Sequence, residues 1–401
     1  MSKGGFSETR LARLHDALAR HVERGAMPGL VALVWRRGET HVEAIGAHAF
    51  GGDRPMRRDT IFRIASVTKP ITAAAAMTLV EECRIRLDDP VDELLPELAN
   101  RRVLRTLASE LDDTVPANRA ITVRDLLSFR LGYGAVMAFP PQFPIQHAMA
   151  AAGVDPSAAL PASPPDELMA AYGGLPLVHQ PGEQWLYNSG SDILGVLMAR
   201  ATGKRLSDIL QERILGPLGM NDTAFSVPAD KIDRLPASYW TNYETGQFGE
   251  YDGADHSRFS RPPVFESGAG GLVSTVDDLL AFGQMMLGLG RFGRERILSR
   301  PSIEVMTTDQ ITSAQKAASA FFPEFWESHG WGFGVAIVTK RDDVFATPGR
   351  YGWDGGYGTS WHVDPKEELI GVLMTQRLMD SPIAPAVFRD FWTAAYQAID
   401  D

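Results

Sequence analysis

Strand-like segments stand at both ends of this chain, and the long stretch between them reads mostly as helix. Near the N-terminus, GLVALVWRRGETHVEAIGAHA (29–49) reads as two strands about a tight Arg37-Gly38-Glu39 turn. Near the C-terminus, WGFGVAIVTK (331–340), GTSWHVD (358–364) and ELIGVLMTQ (368–376) read as three more, with Pro365-Lys366-Glu367 turning between the last two. This pattern lacks the regular βαβα alternation of a doubly wound fold. It calls instead for one sheet built from both termini, with a helical insertion between them.

The helical signals are specific. Leu11, Leu14, Leu18 and Val22 recur at helical spacing, and an alanine-rich run begins near Thr68. Thr122 and Asp125 form a capping box ahead of Leu126, and Thr275 and Asp278 cap another helix. A helix capped by Ser189 or Ser191 runs to Gly203, and an amphipathic one covers 383–399. Residues 138–166, rich in Pro and Ala, are expected to be irregular, and 226–265 turn-rich. The expected division is residues 1–75 with 266–401 as an α/β part and 76–265 as a mainly helical part, with the site in the cleft between.

Composition removes several classes. The chain has 401 residues, 44% of them hydrophobic, which is enough for a large core. Its 39 basic residues form no tract, and the formal net charge is −11, so nucleic acid is excluded as a partner. That charge suits a monomer or small homo-oligomer. No run approaches the ~18 apolar residues of a membrane span, and the N-terminal stretch lacks a signal-peptide pattern. Cys83 stands alone, so no intramolecular disulfide forms; a cytoplasmic location is expected. Cys83 itself is expected as a small buried hydrophobe late in the alanine-rich helix.

Three short elements carry chemistry. In FRIASVTKPITAAAAM (62–77), Ser66 and Lys69 are three positions apart at a helix start fixed by Pro70. Positions i and i+3 share a helix face, about 5–6 Å apart at Cβ. A serine nucleophile needs a proton acceptor, and burial beside a helix N-terminus pushes a lysine toward its neutral form. The spacing alone is weak, because Ser313-Ala314-Gln315-Lys316 repeats it without a comparable helix behind. A capping serine and a solvated lysine explain either case. The second element is Tyr187-Asn188-Ser189 at a turn-to-helix junction; no other tyrosine has Asn or Ser two positions later. The third is Gly352-Trp353-Asp354-Gly355-Gly356-Tyr357-Gly358, where bare backbone entering a strand offers an N–H to an oxyanion. Read plainly, these two are an anchored turn and a strand bulge.

All three, in this order and spacing, resemble the serine β-lactamase and penicillin-binding-protein superfamily. Within it the chain is most similar to the class C β-lactamase-related, or family VIII, carboxylesterases. LDDPV (87–91), ITVRDLLS (121–128), GPLGMNDTAF (216–225) and GAGGLVSTVDDLLAF (268–282) extend the resemblance over nearly the whole chain. It implies an α/β (α+β) fold of β-lactamase/transpeptidase type, an antiparallel sheet flanked by helices plus a mainly helical region.

The resemblance also implies roles. Ser66 is the acylated nucleophile, Lys69 its partner in proton transfer, and Tyr187 a second acid or base whose phenolate the lysine's charge keeps accessible. The oxyanion hole comprises the N–H groups of Ser66 and Gly356. Ser189, where relatives often carry Asn, is a candidate contact to Lys69 or substrate. Trp353, Asp354 and Gly355 occupy the place of the Lys-Thr-Gly of β-lactamases as substrate-binding residues. Tryptophan there offers an apolar wall instead of a cation, so neutral esters are favoured over anionic β-lactams. Phe129-Arg130-Leu131-Gly132 replaces a common His-Thr-Ser-Gly. The expected activity is short-chain carboxylic ester hydrolysis on a small-molecule substrate, with no cofactor or metal. The alternatives are a β-lactamase, a D-amino-acid peptidase, an acyltransferase, or a catalytically silent peptidoglycan-binding module. No G-x-S-x-G elbow, H-E-x-x-H pair or nucleotide fingerprint supports another enzyme class. His362 reads as a strand residue.

Overall fold

The computed structural model describes residues 4–156, 160–242, 245–254 and 256–401. The strand-like segments of both chain ends meet in one seven-stranded antiparallel sheet. Its strands are β1 (Gly29–Arg36), β2 (Glu39–Gly46), β3 (His329–Trp331), β4 (Ala336–Val338), β5 (Tyr351–Gly355), β6 (Thr359–Asp364) and β7 (Leu369–Thr375). Their spatial order is β3-β4-β5-β6-β7-β1-β2, so the N-terminal hairpin docks on the last strand. The register Leu33↔Val372 fixes that junction.

Both faces of β1 are buried, which is why GLVALVWR is nearly continuous in apolar residues. Val31 and Leu33 face the main core, while Leu30, Ala32 and Val34 face helices α1 (Glu8–Glu23) and the C-terminal helix Ala386–Gln397. The main core is continuous from the sheet into α2 (Thr68–Glu81), α3 (Val123–Leu127), α4 (Ser189–Thr202) and α5 (Val276–Leu287). The C-terminal helix is α6 below. From Thr68 to Leu79 every side chain of α2 is buried, which its run of four alanines permits.

Several local expectations change. The stretch 331–340 is two strands, β3 ending at Trp331 and β4 starting at Ala336, because Gly332 N–H bonds back to the Val335 carbonyl. Within 138–166 the chain makes a helix at Pro144–Ala151, started by a proline in its first turn; residues 157–159 of that stretch lie outside the described residues. Helix α2 ends at Glu81, before Cys83, which takes a positive φ of 57° and is exposed instead of buried. The capping box at Thr122 and the Thr275 cap both form. Ser313 starts a helix of only 6 residues, and Lys316 pairs with Asp309, away from Ser66.

Candidate active site

Ser66 sits in a 3-10 turn, Ala65–Val67, that leads directly into α2. Ala65 before it has φ 43°, a left-handed value that an alanine adopts only when its surroundings force it. The surroundings are tight. Gly355 of β5 lies against residue 64, where a Cβ would stand 2.3 Å from the Ile64 carbonyl and 2.2 Å from Thr359 Oγ1. Thr359 Oγ1 also donates to that carbonyl at 3.0 Å. The bare backbone of β5 thus packs on the chain that delivers the serine.

Lys69 Nζ donates to Ser66 Oγ at 2.8 Å and to the Ala269 carbonyl at 2.7 Å. Its side chain is 1% exposed, and burial lowers its pKa to about 7, against the opposing charge of Asp192. Tyr187 OH donates to Ser66 Oγ at 2.8 Å and accepts from Trp353 Nε1 at 2.7 Å. Burial pushes the Tyr187 phenol upward, while its bonds to Ser66 and Trp353 oppose that. The expected accessible phenolate is therefore replaced by a phenol that keeps its proton. The lysine nitrogen lies 4.7 Å from the Tyr187 ring centroid, so the three groups form one compact cluster.

The tyrosine is held by strain and by aromatic packing. Asn188 follows it with φ 102° and turns the chain into α4; its Nδ2 bonds to the Pro156 carbonyl. Neither Ser189 nor Ser191 caps the helix, because Asn188 occupies the cap position. Phe129, at φ 58°, is fully buried with its ring centroid 5.9 Å from that of Tyr187. Trp185, Trp331 and Phe321 complete the wall, with Trp331 edge-on to Trp353 at 4.7 Å.

Not every anticipated residue joins this cluster. Ser189 is 1% exposed in the first turn of α4, beside the Tyr172 hydroxyl, and makes no hydrogen bond to Lys69. Asp354 follows Trp353 in β5 and so points to the opposite face of the sheet, where it accepts from Ser360 Oγ at 2.6 Å. It does not line the substrate side. Gly356 has open space where a Cβ would be, and among the described residues no protein acceptor takes its N–H. His362 lies on β6, with its Nδ1 4.0 Å from Asp354 Oδ1 of β5, outside the cluster.

One contributor escaped the sequence reading. Asp192, buried in α4, accepts from Ser267 Oγ at 2.7 Å and from the Ala269 N–H at 3.0 Å. The carbonyl of the same residue, Ala269, accepts from Lys69. Asp192 therefore holds the residue whose carbonyl orients the lysine, and supplies a compensating charge. Glycine at 268 allows this path, since a Cβ would meet the Ser191 carbonyl at 2.6 Å.

A serine contacted by a desolvated amine and a buried phenol is equipped for acyl transfer chemistry. The Beta-lactamase family model matches residues 14–388. The chain belongs to the β-lactamase family. Among curated relatives, an uncharacterized protein of Mycobacterium tuberculosis is 38% identical, covering 91% of this chain and 89% of its own. Esterase EstB of Burkholderia gladioli is 29% identical over 93% of this chain and 92% of its own. Monacolin J acid methylbutanoyltransferase of Aspergillus terreus is 27% identical over 85% and 83%. Among solved structures, EstCE1, a hydrolase with promiscuous acyltransferase activity, superposes with TM-score 0.78 at 23% identity, covering 97% of this chain and 99% of its own. This chain thus has the β-lactamase/transpeptidase-like fold of a superfamily of serine hydrolases with esterase and acyltransferase members. Among the described residues no helix is long and apolar enough to cross a membrane, and no group of three or more His, Cys, Asp or Glu could hold a metal.

Proposed function

We propose that the protein hydrolyses neutral short-chain carboxylic esters through an acyl-enzyme on Ser66. The observation that carries this is the convergence of Lys69 Nζ and Tyr187 OH on one oxygen, each 2.8 Å from Ser66 Oγ. Neutral Lys69 takes the Ser66 proton as Oγ attacks the ester carbonyl, and the backbone N–H groups of Ser66 and Gly356 receive the oxyanion. The tetrahedral intermediate collapses with cleavage of the ester C–O bond. Tyr187, protonated at neutral pH, delivers its proton to the leaving alkoxide and recovers one from Lys69. Water then enters by the same proton path and releases the acid. On the same reading, residues 1–75 with 266–401 and residues 76–265 form the two sides of the substrate cleft.

Trp353 sets the preference for neutral acyl groups, because its indole and the Phe321 ring present apolar surface and no cation for a carboxylate. Turnover of a p-nitrophenyl ester series beside a chromogenic cephalosporin tests this reading. Ester turnover should dominate; cephalosporin turnover far above it would reject the specificity. A fluorophosphonate should label Ser66, and Ser66→Ala should lose both label and turnover while staying folded.

A second reading replaces water by an alcohol as acceptor. The similarity to an acyltransferase over most of the chain supports it. The products distinguish the two: added primary alcohol diverts the acyl group into a new ester if the acceptor site takes alcohols, and leaves product acid unchanged otherwise.

A further inference from the structure

β5 has two faces, and the one behind Trp353 carries a carboxylate that the reaction above does not use. Asp354 Oδ1 accepts from Ser360 Oγ, its register partner on β6, at 2.6 Å. Ser360 Oγ accepts in turn from Trp392 Nε1 of α6 at 2.9 Å. Two glycines make room for this chain of contacts. A Cβ at Gly352 would lie 2.6 Å from the His362 ring, and one at Gly371 would lie 2.5 Å from the Trp392 ring.

Arg350, immediately before β5, is 4% exposed and stacks 4.0 Å over the Trp392 ring. Its Nε and Nη2 are buried without hydrogen-bond partners, and it forms no salt bridge with any described residue. A guanidinium in that condition depends on anions acting through space, and Asp354 and Asp364 are the carboxylates that do so. Asp364 is already engaged by the Tyr396 hydroxyl at 2.6 Å and by the N–H groups of Lys366 and Glu367. Among the described residues, Asp354 accepts its side-chain hydrogen bond, at 2.6 Å, from Ser360.

We propose that Asp354 is a positioning residue for β5: its ionised carboxylate, tied to α6 through Ser360 and Trp392 and facing Arg350, holds the strand so that Trp353 stays on Tyr187 and Gly356 stays in place. The proposal rests on the reading of Ser66 as nucleophile. Asp354 acts from the reverse face and touches neither substrate nor Ser66. Loss of its charge weakens the bond from Ser360, because a bond to an ionised acceptor is the stronger one. It also leaves Asp364, of those two carboxylates, as the one that still acts on Arg350 through space.

Titration supplies a signature that a merely structural contact lacks. Burial raises the Asp354 pKa to about 6, while its bond to Ser360 and the Arg350 charge act the other way. The other titratable groups around it are His362 of β6, with Nδ1 4.0 Å away, His329 of β3, Tyr396 of α6, and Tyr187 across the sheet. Burial pushes both histidines downward and both tyrosines upward, so none competes with Asp354 near pH 6.

The test is the rate of Ser66 phosphonylation by a fluorophosphonate, followed from acid to mildly alkaline pH. In the unmodified protein the logarithm of the rate should show a lower break near pH 6, an extra rise of about one unit as Asp354 loses its proton, on top of the rise due to Lys69. It should rise with slope near one up to about pH 7, then level off. Asp354→Asn should react roughly tenfold slower on the plateau and rise with slope one up to about pH 7 without the lower break. Ser360→Ala should slow the reaction and move the lower break upward, since it removes a bond to the charged form. This variant carries the test if Asp354→Asn fails to fold. Unmodified rates and breaks in the soluble variant overturn the proposal, as does a slowed Asp354→Asn that retains the lower break. A parent protein that takes no label on Ser66 sinks the nucleophile reading itself, which is a different result.

Discussion

The indole N–H of Trp353 donates to the Tyr187 hydroxyl across 2.7 Å, and that hydroxyl donates to Ser66 Oγ across 2.8 Å. On the proposed function tryptophan does two things at this position: it walls the substrate site, and its bond to the phenol oxygen orients the phenol proton toward the serine. Trp353→Phe keeps an aromatic ring and loses the donor. The expected result is a kcat about tenfold lower with KM little changed, the loss of one hydrogen bond. Trp353→Lys replaces the wall with a cation, and cephalosporin turnover should rise relative to ester turnover. Steady-state kinetics on both substrates read the two effects; a fall in both activities by equal factors would reject the specificity role.

On the proposed mechanism, Lys69 gives the activity its pH dependence. Its folded-state pKa is lowered to about 7 by burial, from an ordinary value near 10.5. If neutral lysine is the base, as proposed, kcat/KM should rise through pH 7 and level above it. The Tyr187 phenol, pushed upward by burial, keeps its proton across that range and adds no alkaline limb below about pH 10. The same sign holds for stability. A depressed lysine pKa means the unfolded chain binds the extra proton, so this residue's contribution falls as pH drops from about 10 toward 7. A profile flat between pH 6 and 8 would remove Lys69 as the base.

Much of this was legible in the sequence because it rests on local patterns. The both-ends sheet followed from apolar runs with turn residues between them, and the cap at Thr122 from its Asp125 partner. What was not legible depends on contacts distant in the chain. Asp192 looks like any acid on a helix, since its partner Ser267 lies 75 residues away. Ser189 kept its place in the tyrosine triplet, yet the Asn188 backbone at φ 102° swings it into the core. Asp354 was a different failure. Strand alternation already forbids neighbours 353 and 354 from sharing a face, and the glycine-rich run obscured that this was a strand. Cys83 lay past the last turn of α2, at a positive φ that ends helices.

Asp192 tunes the base through Ala269. Its charge raises the Lys69 pKa, partly countering burial. Asp192→Asn retains an oxygen that can accept from Ser267 and from the Ala269 N–H, so the loop should keep its path while the charge disappears. The acid limb of kcat/KM should then move below pH 7. Asp192→Ala also strands the Ser267 hydroxyl and the Ala269 N–H, and should lower unfolding free energy by about 1–3 kcal/mol. An acid limb that moves upward in Asp192→Asn would contradict the electrostatic role.

Arg63, three residues before the serine, extends its side chain away from the cleft into a buried ion pair. Its Nε donates to Asp252 Oδ2 at 2.6 Å and Nη1 to the Pro236 carbonyl at 2.7 Å, while Nη2 reaches Ser257 Oγ at 3.1 Å. Both side chains are nearly inaccessible, at 3% and 6% exposure. The pair ties the strand Phe62–Arg63 to the hairpin Ser238–Thr241/Phe248–Asp252. Breaking it from one side leaves the other charge buried and unpaired, at about 3–5 kcal/mol. Asp252→Ala should therefore lower the urea midpoint sharply, with the m-value unchanged. Replacing both residues, Arg63→Met with Asp252→Leu, removes the stranded charge and should recover most of that loss. If the double variant is no more stable than Asp252→Ala, the penalty comes from the hydrogen bonds that the Asp252 carboxylate accepts from Ser257 Oγ and the Arg258 N–H, and not from the unpaired charge of Arg63.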